Sequence, residues 1–99
     1  MGPQNGMMMP TFLIERTVPG ASELDADALH DIACTSNDVV SQLGVPYTWH
    51  HSYVAGDKVY CVHETEDIET VREHARRGGF PADLVAEVAQ VIDPSTGQR

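Results

Sequence analysis

The stretch Trp49–Glu64, WHHSYVAGDKVYCVHE, constrains this chain more than any other. Gly56-Asp57 stands between two runs of β-branched and aromatic residues, the pattern of a tight hairpin. Gly at the first turn position accepts the positive φ that a type II′ turn requires. A two-residue turn sets Ala55 opposite Lys58, Ser52 opposite Cys61, His50 opposite His63 and Trp49 opposite Glu64. Opposed residues lie about 4.5–5.5 Å apart at Cβ. Two imidazoles so placed can share a metal ion. His51 and Glu64 form a second pairing on the other face. A three-residue turn would instead bring His51 opposite Cys61 and near His63. Neighbours His50 and His51 point to opposite faces unless a bulge turns the chain.

The rest of the chain supplies elements around this hairpin. Residues 10–18, PTFLIERTV, alternate as a strand with Phe12, Ile14 and Arg16 on one face. Ser22 to Gly44 reads as a helix, with Ser22 and Asp25 resembling a capping box. Leu29, Ile32, Ala33, Ser36, Val40 and Leu43 form its apolar stripe. Asp67 caps a second helix to Arg77, stopped by Gly78-Gly79, with His74 flanking the stripe of Ile68, Val71 and Ala75. Leu84 to Ile92 suits a helix by periodicity, but pairing logic demands a fourth strand, placed at about Glu87–Asp93. The order β-α-β-β-α-β predicts an α+β, ferredoxin-like sandwich with a four-stranded antiparallel sheet. Both hairpin faces are partly apolar, and two helices cover only one. The second cover is expected from another copy, as in a dimeric α+β barrel.

Ninety-nine residues make one domain, read as residues 10–94 between a leader, 1–9, and a tail, 95–99. Fifteen acids against six Lys/Arg give a net charge of −9, which argues against nucleic-acid partners and anionic membranes. No apolar run approaches the ~20 residues of a membrane span. Two cysteines are too few for a disulfide framework, so a reduced, cytoplasmic protein is expected. His30 and Cys34, four apart on a helix, could ligate metal, but a boundary His and a small core Cys explain them as well.

The segments FLIERTVPGA, HSYVAGDKVYCV, VREHARRGGFPADLV and VIDP together resemble a small actinobacterial family, long a domain of unknown function, with a nickel-responsive, nickel-binding representative. The resemblance covers about residues 11–96. It implies a ferredoxin-like monomer, a homodimer and Ni(II) sites built from surface and interface residues, and it does not imply an enzyme. The positions matching the family segments are His51, Cys61 and His74; His63-Glu64 departs from the aromatic residue expected before the Glu.

Imidazole and carboxylate suit Ni(II) and other divalent transition metals, and copper would compete at most such sites. The candidate ligands are His50, His63, His51, Glu64, Cys61 and His74. No closed-site spacing such as CxxC or HExxH is present, so weak half-sites rather than one cage are expected. The leading reading is a non-catalytic nickel-binding protein in metal buffering or response. The alternatives are a cofactor-independent monooxygenase of the α+β barrel type, its pocket lined by Trp49, Tyr53, Tyr60, His51 and His74, or a ligand-sensing module without chemistry. Cys61 beside a histidine is a possible activated thiolate, or simply a buried strand residue.

Overall fold

Phe12, Ile14 and Arg16 are buried while Leu13 and Thr17 are exposed, so β1 (Thr11–Thr17) turns the expected face to the interior. The computed structural model describes residues 9–98. The expected leader therefore lies, apart from Met9, outside the described residues. α1 (Ala26–Gln42) follows β1, then β2 (Tyr47–Ala55), β3 (Lys58–Thr65), α2 (Ile68–Gly78) and β4 (Leu84–Glu87). The strands pair antiparallel in the order β2-β3-β1-β4. This is the ferredoxin-like α+β fold, with both helices on one face of the sheet. Phe12, Ile14, Cys61 and Val71 form its core, flanked by Val59, Ile68, Ala82 and Val85.

β4 begins and ends earlier than the expected Glu87–Asp93. Its partner explains why. Asp83 N donates to Glu15 O at 2.9 Å and Val88 N to Thr11 O at 2.7 Å, so pairing runs out where β1 starts. Past that point β4 has no further partner among the described residues, and Val91 and Ile92 are 81% and 77% exposed. Of the expected tail, 95–99, residues 95–98 lie in a 3-10 turn, Pro94–Gln98, and Arg99 lies outside the described residues.

α1 also differs from expectation. Asp25, not Ser22, is its N-cap, accepting from Ala28 N. Ser22 lies instead in a 3-10 turn, Ala21–Glu23, and its hydroxyl donates to Gly56 O at 2.7 Å. Val18 N to Asp57 O (2.8 Å), Ser22 N to Gly56 O (3.2 Å) and Gly20 N to Asp57 Oδ1 (3.0 Å) complete a bolt between this loop and the hairpin turn. The buried residues of α1 are Ser36 and Val39, in its second half. Leu29 and Ile32 are 40% and 42% exposed, so the first half of α1 stands away from the sheet.

The hairpin turn is as expected: Gly56 has φ 61, and Ala55↔Lys58, Ser52↔Cys61 and His51↔Val62 are paired. Beyond His51 the register shifts. Trp49 pairs with His63 and Thr48 with Glu64, leaving His50 as the extra residue of a β-bulge. The expected pairings of His50 with His63 and of Trp49 with Glu64 are therefore incorrect. The alternative three-residue turn, with His51 opposite Cys61, is also not adopted. Trp49 joins the half-buried side chains facing α1 and donates its indole N–H to Ser52 Oγ at 2.9 Å. An unbulged strand would have held that large aromatic ring on the uncovered face.

Candidate functional site

The bulge splits the candidate residues between the two faces of the sheet. In β3, Cys61, His63 and Thr65 are buried beneath the helices, so Tyr60, Val62 and Glu64 face the uncovered side. His50 reaches Glu64 on that side, its Nε2 2.9 Å from Oε1. His51 lies opposite Val62, its ring edge-on to Tyr53 at a centroid distance of 5.0 Å. His50 and His51 thus project to the same face, which strict alternation would forbid. The expected pairing of His51 with Glu64 is replaced by His50 with Glu64. Leu13, Tyr53 and Leu84 are exposed around them. Tyr60 and Val62 are half-buried on the same face.

On the interior face His63 and His74 are each 1% exposed, with ring centroids 5.0 Å apart and planes at 84°. His74 was expected only to flank the helical stripe; it lies within the core. Tyr47 OH hydrogen-bonds His63 Nδ1, and Ser36 Oγ lies 3.0 Å from His74 Nε2. His74 Nδ1 is buried without a hydrogen-bond partner among the described residues. Desolvation, aided by the positive charge of Arg16, lowers His63 to about 3 and His74 to about 4, so both imidazoles are neutral at physiological pH. Burial likewise raises the Tyr47 phenol above its ordinary value.

Arg16, 5% exposed, is the functional candidate the sequence reading missed. It was legible as an inward position of β1, next to Ile14 on the same face, but no motif marks it. Its Nε donates to Cys61 Sγ at 3.3 Å and its Nη1 to Pro81 O at 2.6 Å. The guanidinium carbon lies 5.4 Å from the centre of the Phe80 ring, which also stacks on His74. Phe80 folds back so tightly that a Cβ on Gly78 would come within 2.4 Å of it.

Between the first half of α1 and the sheet lies a cleft of about 310 Å³. Arg16, Cys61, His63, His74, Ser36 and Ser52 supply its polar lining; Trp49, Phe80 and aliphatic side chains supply its walls. Of the five pocket residues expected, Trp49 and His74 line it. Tyr53, Tyr60 and His51 lie on the opposite face of the sheet. On the outer surface of α1, Cys34 Sγ and His30 Nε2 are 3.3 Å apart. Cys34 is exposed rather than a core residue, and both thiols are free.

Among the described residues no three His, Cys, Asp or Glu side chains converge as a metal site. The six candidate ligands form instead an exposed imidazole–carboxylate pair with a second imidazole on the same face, and a buried imidazole pair beside a thiol. Among the described residues no helix is long and apolar enough to cross a membrane.

The family model described as "Nickel responsive protein SCO4226-like" matches residues 12–88. No curated protein matches the sequence. Among solved structures, SCO4226 from Streptomyces coelicolor A3(2) is 21% identical, with a TM-score of 0.67 over 83% of this chain and 99% of its own.

Proposed function

The chain belongs to the SCO4226-like family of nickel-responsive proteins, and on that premise we propose that it binds Ni(II), without catalysis, in metal buffering or response. The observation that carries this reading is the bulge at His50, which brings His50, His51 and Glu64 to one uncovered sheet face. Imidazole nitrogen and carboxylate oxygen are suitable donors for Ni(II) and for other divalent transition metals. As a donor set they fit a half-site: they are too few to enclose an ion. A second copy packed face to face on the exposed Leu13 and Tyr53 and the half-buried Tyr60 and Val62 would supply the remaining donors and bury the apolar surface. We accordingly place the metal in the interface of a homodimer, the dimeric form of the α+β barrel. His63, His74 and Cys61 form a second, buried candidate set, in which Nδ1 of His74 is the free donor.

The net charge of −9 supports cation binding and disfavours nucleic acid and anionic membrane as partners. Two free thiols fit a reducing, cytoplasmic setting.

Calorimetric titration of metal-free protein with Ni(II) tests the site. Saturable binding is expected, weakening as pH falls because protons compete for imidazole nitrogen. His50→Ala and Glu64→Gln should each weaken binding, with the double variant little worse than either, since both act on one ion. Undiminished affinity in the double variant would move the metal to the buried set. At about a hundredfold excess of free metal over Kd, binding should add about 2.7 kcal/mol to stability.

A further inference from the structure

We propose that the cleft between α1 and the sheet binds a small organic monocarboxylate with an apolar body, its carboxylate anchored on Arg16. The inference stands apart from the metal reading, which concerns the opposite face of the sheet. Arg16 is 5% exposed and makes no ion pair with a carboxylate among the described residues. Its hydrogen bonds go to a thiol and a carbonyl, both formally neutral groups, and leave further N–H groups of the fork unused. A buried cation without a counter-ion is costly, and a chain with fifteen acids has ample means to supply one. Yet among the described residues no Asp or Glu lines the cleft, and Arg16 is the one Arg or Lys that does. Asp83, the carboxylate near enough to feel the charge of Arg16, accepts from Thr17 N and lies outside the lining, so no carboxylate among the described residues engages the fork and its unused N–H groups are left for an incoming group. Planar guanidinium recognises planar carboxylate through two parallel N–H···O bonds.

The walls decide the rest of the ligand. Trp49, Phe80, Leu29, Ile32 and Val59 present apolar surface around the one cation. Inorganic phosphate or a polycarboxylate would leave most of its charge against those walls, whereas an aryl or short alkyl body would be well solvated by them. A volume of about 310 Å³ lies at the lower end of the range for small-molecule sites, roughly 300–1,000 Å³. Leu29 and Ile32, both part-exposed, mark the mouth, where α1 stands off the sheet. Ser36 and the two imidazoles give further hydrogen-bonding capacity at the floor, so a ligand with one additional hydroxyl would also be accommodated.

Trp49, the chain's single tryptophan, lines the cleft, so its emission reports occupancy. Metal-stripped full-length protein is titrated with phenylacetate, with hexanoate and with the neutral phenylacetamide. Saturable change with the acids is expected at up to millimolar concentration, with the amide roughly tenfold to hundredfold weaker, the size of a lost charge-assisted hydrogen bond. Arg16→Met should abolish the preference for acid over amide. Ala33→Leu, which fills the cleft and keeps the guanidinium, should weaken all three probes. If Arg16→Met fails to fold, the acid–amide contrast and Ala33→Leu still decide. Emission unmoved by either acid, or an amide that binds as tightly as its acid, overturns the proposal. Binding that survives Ala33→Leu unchanged also overturns it, by placing the ligand elsewhere. Because no metal is present in the titration, a failure here leaves the nickel reading unaffected.

Discussion

Burial holds the imidazole of His63 at a pKa of about 3 and that of His74 at about 4, whereas in an unfolded chain each titrates near 6.5. Between those values the unfolded state binds protons that the folded state refuses. Their stabilising contribution is therefore complete above about pH 6.5 and declines as pH falls toward the folded values. Each histidine can contribute a slope of up to roughly 1.4 kcal/mol per pH unit in that interval. Urea unfolding of metal-free protein should show a midpoint that drops steadily from about pH 6.5 to pH 4.5. His63→Gln and His74→Gln should each flatten the dependence, and an unaltered slope in the double variant would contradict it. His74 was visible in the sequence only as a residue beside a helical stripe. Periodicity places a side chain to within a fraction of a turn, and here Phe80 folding over Gly78 closes the space that would have left it in solvent.

At the scale of elements, the hairpin shows which sequence signals are local and which are not. Gly56-Asp57 specifies its turn through backbone preference alone, and the pairing from Ala55 to His51 follows from it. The bulge carries no such signature, because it depends on the gain from moving Trp49 under the helices. Deleting His50 tests this account. With the extra residue gone, Trp49↔His63 and His51↔Val62 become consecutive regular pairs, so the sheet should persist by amide exchange and circular dichroism. Nickel affinity should fall at least as far as in His50→Ala, because Glu64 loses its imidazole partner. A shifted β2–β3 register in the deletion variant would mean that the bulge is set elsewhere. The N-cap of α1 is not legible locally for a similar reason: Ser22 and Asp25 are both good caps, and the distant Gly56 carbonyl engages Ser22 and leaves the cap to Asp25.

At the scale of the molecule, the order of elements was enough to predict the sheet, its topology and its uncovered face. The length of β4 was not, since it depends on where β1 begins. The same uncovered face makes a prediction about association. Exposed Leu13 and Tyr53, with the half-buried Val62 and Tyr60 paired opposite them, give this face an apolar character, and His50, His51 and Glu64 lie on it too. Sedimentation should show a dimer at micromolar concentration, strengthened by Ni(II). Val62→Glu should yield a folded monomer with the hairpin intact and weaker nickel binding. A wild-type monomer in the presence and absence of nickel would place the function of this face elsewhere.

The bolt between residues 18–22 and the hairpin turn bears on the order in which the chain assembles. Every acceptor in it belongs to Gly56 or Asp57, so none is in place until the turn has closed. The loop that carries β1 into α1 must therefore settle after the hairpin, late on the route to the native state. Interactions formed after the rate-limiting barrier slow unfolding and leave folding untouched. Stopped-flow measurement of Ser22→Ala should accordingly find faster unfolding at an unchanged folding rate. The converse result would make this loop part of the nucleus from which the sheet grows.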